Sequence, residues 1–188
     1  MRRNLIFLLI IVVLGVTAAV IVRLVRRPSA FNPESFRNSI TAMKIESPAF
    51  EQNGMIPTVH TCDGADTSPP LVWRGVPEGT RSLVLVVDDP DAPVGTWTHW
   101  LVWNIDPVAA GTAAGQVPVG GIQGRNDFGR NVWGGPCPQV GSHRYFFKLF
   151  ALDAILDLPA DTKAAGLEAA LTGHVLDKAG LIGIYARP

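Results

Sequence analysis

The stretch Arg144-Tyr-Phe-Phe-Lys-Leu-Phe-Ala-Leu152 constrains the fold more than any other in the chain. A β-strand sends successive side chains to opposite faces. Tyr145, Phe147, Leu149 and Ala151 would line one face, and Arg144, Phe146, Lys148, Phe150 and Leu152 the other. Both sets are rich in large apolar groups, so this strand has to be covered on both sides. It is expected at the centre of a sheet.

The other elements follow that pattern. Met43–Phe50 alternates apolar and polar residues and reads as a short strand, as does Leu71–Trp73 before Gly75 and Pro77. Ser82–Val87 and Trp100–Ile105 are apolar runs without helical spacing, and Leu181–Ala186 closes the chain as a strand. Residues 106–130 hold six glycines and read as a long loop with a short edge strand. A helix is expected over Lys163–Leu171, capped by Asp161 or Thr162, and a second short one over Gly173–Ala179. With 19 Gly, 15 Pro and 17% charged residues, the chain is a turn-rich globular protein, neither a helical bundle nor disordered. The expected fold class is mainly β: an antiparallel β-sandwich with one or two C-terminal helices.

Leu5–Val22 is an uncharged apolar run of 18 residues, flanked by Arg2 and Arg3 before it and Arg23, Arg26 and Arg27 after it. As a helix it would span about 27 Å, close to the hydrocarbon thickness of a bilayer. It lacks a good small-residue cleavage site. The sequence therefore predicts an N-terminal transmembrane signal anchor over residues 1–27, a polar linker over 28–42 and a domain over 43–188. The expected localisation is membrane-anchored and single-pass, with the domain outside the cytoplasm, or secreted if the segment is cleaved.

Charge divides along the same boundary. Residues 1–42 carry six arginines and one acid, whereas residues 43–188 carry ten basic and fifteen acidic side chains. A net-acidic domain offers no electrostatic footprint for nucleic acid. Two cysteines, Cys62 and Cys137, are too few for a disulfide framework; one bridge between them is open in an oxidising compartment.

Asp88, Asp89 and Asp91 end one apolar run, and Trp97 and His99 open the next. Carboxylates and a histidine at adjoining strand ends mark the rim of a sheet as the place for a binding or catalytic pocket. Asp88 reads as a solvated strand-end acid, and Asp91 as a turn-stabilising acceptor more than a direct contact. His60 and His174 read as structural.

Three motifs in order resemble one known family. These are Asp89-Pro-Asp-Ala-Pro93, then Trp97-x-His99-Trp100, then Gly134-Gly-Pro-Cys-Pro-x-x-Gly-x-His-Arg-Tyr145. Together they are similar to the phosphatidylethanolamine-binding proteins, also called Raf kinase inhibitor-like proteins. Thr61-Cys-Asp-Gly-Ala-Asp-x-Ser-Pro-Pro-Leu71 and Cys137 look like the bacterial branch. The resemblance covers about residues 43–188. It implies a β-sandwich with C-terminal helices and a small anion pocket. Carried over by motif, the ligand-binding residues are Asp89, Asp91, Trp97, His99, Gly135, Pro136, His143 and Tyr145. Gly135 and Pro136 would supply backbone N–H groups and close approach to the ligand. Arg125-Asn-Asp-Phe-Gly129 reads as loop scaffolding.

The resemblance implies a non-catalytic binding protein for phosphorylated ligands or phospholipid headgroups, one that modulates a protease or kinase partner. No cofactor and no metal are expected. The alternative is a metal-dependent or acid–base hydrolase using Asp89, His99 and His143. Against it, the sequence has no G-x-S-x-G elbow, no HExxH and no phosphate loop.

Overall fold

The computed structural model describes residues 31–32 and 43–188. In chain order the described elements are β1 (Lys44–Glu46), β2 (Gly54–Met55), β3 (Leu71–Arg74), β4 (Ser82–Asp89), β5 (Trp97–Ile105), β6 (Gly111–Thr112), β7 (Ile122–Gln123), β8 (Ser142–Leu152), α1 (Ala164–Leu171) and β9 (Val175–Ala186). They form a six-stranded sheet, β2-β9-β8-β4-β5-β7, and a three-stranded sheet, β1-β3-β6. The aromatic strand β8 is central as expected, paired antiparallel with β4 on one side and with β9 on the other.

The pleat of β4 and β8 builds two separate cores. Leu83, Leu85 and Val87 of β4 point the same way as Tyr145, Phe147, Leu149 and Ala151 of β8, and pack with Ile45, Leu71 and Trp73 of the smaller sheet. Val84, Val86, Phe150 and Leu152 point the other way and pack with Leu167 and Leu171 of α1 and with Phe31. Every residue of β4 is buried, and each large apolar side chain so covered contributes about 1.5–3 kcal/mol.

The expected sandwich is met in part. The chain is mainly β with one α-helix, but the second sheet is made of strands of three, four and two residues. The layers are unequal, and β2 pairs parallel to β9. The second helix expected over 173–179 is corrected. Gly173 takes a φ of 88° and turns the chain, and Val175–Ala179 enters β9, where the ladder to β8 satisfies its backbone. Nor does Asp161 or Thr162 cap α1: the Thr162 hydroxyl donates to Pro159 O at 2.6 Å, and the helix begins after Lys163 without a side-chain cap.

The expected single-pass, membrane-anchored localisation is also corrected. Among the described residues, no helix is long and apolar enough to cross a membrane, and the apolar run Leu5–Val22 lies outside the described residues. Within the stretch expected as a linker, Phe31 is buried against the second core, its ring 5.6 Å from that of Phe150.

Asp88 is not the solvated acid expected. Its carboxylate accepts from Lys148 Nζ at 2.6 Å, with side-chain exposures of 2% and 0%. Lys148 Nζ also donates to Phe31 O at 2.5 Å. Burial pushes the Asp88 carboxyl up to about 6 and the Lys148 ammonium down, while their mutual attraction opposes both shifts. Removing one member leaves an uncompensated buried group. Lys148→Ala is expected to cost about 3–5 kcal/mol, read as a lower urea midpoint; Lys148→Met, which keeps the volume but not the charge, should be rescued in part by Asp88→Asn.

Candidate functional site

Antiparallel pairing brings the end of β4 and the starts of β5 and β8 to one rim of the large sheet. Asp89 stands opposite Trp97, and Asp88 opposite Phe146. A cavity of about 270 Å³ opens there, lined by Asp89, Trp97, His99, His143 and Tyr145 among others. Two larger hollows, of about 520 and 410 Å³, contain no histidine.

The pleat that separates the cores also sorts the acids. Asp89, one residue on from Asp88, faces the opposite side and joins His143 and Tyr145. It is buried, and both its oxygens are used. Oδ1 accepts from the backbone N–H of Asp91 at 2.8 Å, and Oδ2 accepts from His143 Nδ1 at 2.7 Å. The carboxylate thereby fixes the His143 ring and its tautomer, because an acceptor at Nδ1 requires the hydrogen there.

His99 is held in the same manner. Its Nδ1–H donates to Gly134 O at 2.6 Å. Its ring meets those of Phe128 and Tyr145 edge-on, at 5.3 and 5.2 Å. Burial depresses its pKa, against the opposing pull of the Gly134 carbonyl and the Asp89 charge. The Tyr145 hydroxyl is buried close to the Asp89 carboxylate and the Cys137 backbone. Burial first, and then the charge of nearby Asp89, push the phenol's pKa up, so it stays a neutral O–H.

Three of the expected ligand residues do not line the cavity. Asp91 turns outward and takes Arg144, accepting from Nε at 2.8 Å, Nη2 at 2.5 Å and the backbone N–H at 3.0 Å. The Arg144 guanidinium holds the Asp91 carboxyl below its usual range. Gly135 spends its N–H on Asp66 Oδ1 at 2.7 Å, and Pro136 O accepts from the Cys62 N–H at 3.1 Å. A Cβ on Gly135 would lie 2.4 Å from Asp66 Oδ1 and 2.7 Å from His60 O. The glycine therefore allows close approach to the 60–66 loop, not to a ligand. Cys62 and Cys137 close a disulfide across the same seam. What this segment presents to the cavity is Cys137, Pro138 and Gln139.

Phe128 was not among the expected site residues, yet it is part of the wall, edge-on to Trp97 at 5.5 Å. The segment around it does act as scaffolding. Asn126 Nδ2 donates to His99 O at 3.1 Å and Val132 O at 2.8 Å, and Asp127 Oδ2 accepts from Thr98 N–H at 2.7 Å. An aromatic residue inside a polar, glycine-ended loop was the available signal. His60 is structural as expected, buried with Nδ1 on Thr67 O at 2.8 Å. His174 pairs with Asp153 at the surface, far along the chain from the cavity residues. Among the described residues, no three His, Cys, Asp or Glu side chains are grouped to hold a metal ion.

Residues 46–186 match the family model for phosphatidylethanolamine-binding protein. The chain belongs to that family. Relatives include UPF0098 proteins from Methanothermobacter thermautotrophicus, 50% identical over 77% of this chain and 99% of theirs, and from Aquifex aeolicus, 48% identical over 77% and 89%. Among solved structures, the phosphatidylethanolamine-binding protein homologue CT736 of Chlamydia trachomatis superposes with a TM-score of 0.76 at 37% identity, covering 79% of this chain and 99% of that one. E. coli YbcL, described as a member of the mammalian family, superposes with a TM-score of 0.74 at 32% identity, covering 79% and 100%.

Two measurements check this geometry. A buried histidine with a depressed pKa is protonated on unfolding below its usual value of 6.5. The unfolded state then binds more protons, so stability rises with pH there and falls on acidification. The His99 contribution should be lost between about pH 7 and about pH 5, opposite in sign to that of Asp88, so His99→Gln should lose less urea resistance than the wild type over that window. Gly135→Ala should cost roughly 1–3 kcal/mol by overpacking the seam, measured by the same unfolding curves.

Proposed function

We propose that this chain is a non-catalytic binding protein whose cup takes the anionic oxygens of a small phosphorylated ligand or a phospholipid headgroup. One observation carries the reading. Two histidines on the strands flanking β4 each have Nδ1 tied back to the scaffold, which leaves Nε2 as the ring nitrogen for a single small cavity. Beside them the Tyr145 ring forms part of the wall, its hydroxyl buried close to Asp89. Such a set binds an oxyanion through imidazoles that become charged donors on protonation.

The other parts hold this set in place. Asp89 aims His143, Gly134 O aims His99, and the disulfide seam supports the wall at Cys137. Membership in a family named for binding phosphatidylethanolamine supports the same ligand class. The hydrolase alternative finds no such support. Asp89, His99 and His143 are not grouped as a metal site, and Asp89 is occupied in holding His143.

Calorimetry on the full-length chain tests the reading. Phosphate and phosphoethanolamine should bind, and His143→Ala should weaken them about tenfold or more, the loss of a hydrogen bond to a charged group. Asp91→Asn, whose side chain lies outside the cavity, should change affinity far less. Unaltered affinity in His143→Ala would remove His143 from the cup.

A further inference from the structure

We propose that the cleft between α1 and the large sheet is a binding site for one aromatic residue of a peptide segment, and that Phe31 of the same chain is its resident, displaceable ligand. The cleft lies on the face of the sheet opposite the anion cup, among the second set of core residues, and does not depend on what the cup binds.

Three contacts grip Phe31. Its ring is buried in the second core, 5.6 Å from that of Phe150 on β8. Its N–H donates to Glu168 Oε1 of α1 at 3.4 Å. Its carbonyl accepts from Lys148 Nζ of β8 at 2.5 Å, and the same ammonium lies 5.8 Å from the ring centre. Core residues of β4 and β8 place their backbone groups on neighbouring strands. Phe31 instead has an N–H and a carbonyl on charged side chains. Every residue but proline carries that pair of groups, so the two bonds recognise a peptide unit and the ring pocket selects the side chain.

The holder stands ready without its ligand. Lys148 is fully buried, and its ammonium is fixed by Asp88 Oδ2 at 2.6 Å. Both residues belong to the paired register of β4 and β8, which Phe31 does not enter. A charged donor held in advance makes a stronger bond than a neutral one and loses little freedom on binding. Phe31 lies outside residues 46–186, which carry the family match, and reaches β1 only through residues 33–42. A ligand linked through so few residues acts at an effective concentration on the order of millimolar. A contact too weak to retain a free peptide therefore suffices in the same chain, and a rival segment presenting a phenylalanine competes with it.

The capped hexapeptide Pro28-Ser-Ala-Phe-Asn-Pro33 is the probe. In the full-length wild type, the Phe31 amide should exchange with solvent about tenfold or more slowly than a free peptide amide. Hexapeptide at about 10 mM should accelerate that exchange by displacing the resident segment. In full-length Phe31→Ala, the hexapeptide should shift the amide signals of Lys148 and Glu168. It should bind roughly tenfold or more tighter there than to the wild type, whose own Phe31 competes. The same hexapeptide carrying Phe31→Ala should not bind. The exchange measurement needs no variant and decides the matter even where Phe31→Ala fails to fold. An unprotected Phe31 amide, exchange indifferent to the hexapeptide, or equal affinity for the two chains overturns the inference. A dimer that dissociates on Phe31→Ala would seat the Phe31 of a second copy in the cleft and overturn the assignment to the same chain.

Discussion

The antiparallel pairing of β4 with β8 is the constraint on which the rest depends. Both strands are buried on both faces, so neither can slip by one residue without exchanging its two sets of side chains between two different cores. The register from Ser82↔Leu152 to Asp88↔Phe146 is therefore pinned along its length. That pinning continues past the apolar residues into the polar ones. It delivers Asp89, His143 and Tyr145 to one face and Asp88 and Lys148 to the other, with no loop needed to aim them.

The two carboxylates at the end of β4 show how little separates a structural group from a binding one. Asp88 and Asp89 are adjacent and equally hidden, yet one meets an ammonium in a closed core and the other a histidine beside a cavity. The first is a desolvated pair of the kind that stabilises little and is costly to break. The second is an orienting contact: it spends a carboxylate to fix which imidazole nitrogen carries the hydrogen. His99 reaches the same state through a backbone carbonyl. The site's character thus comes from what occupies each Nδ1, one bond removed from anything a ligand would touch.

Much of the fold was legible because period-two alternation reports burial directly. The central place of β8 follows from it, while the strands at 82–87 and 100–105 are read from unbroken apolar runs and the helix ending at Leu171 from its capping signals and composition. Val175–Ala179 was misread because a short Val-Leu-Asp-Lys-Ala run carries no decisive period, and only the free edge of β8 decides that it becomes strand. Of the site residues the motifs name, Asp89, Trp97, His99, His143 and Tyr145 line one cavity. Asp91, Gly135 and Pro136 do not line it, because their hydrogen-bonding groups are taken by Arg144, Asp66 and Cys62, partners 53 to 74 residues away in the chain. No local pattern announces such competition.

By itself the sequence determined the strand pattern, the membership of a family and the chemistry gathered near Asp89 and His143, because side-chain period and motif order are properties of the chain alone. Tertiary structure alone decided which acid faces the cavity, which glycine serves a seam between loops, and on which nitrogen each histidine keeps its hydrogen. The reason is the same in each case. A polar group's role is set by the partner that satisfies it once water is gone, and those partners arrive from distant parts of the chain only when the sheet is assembled.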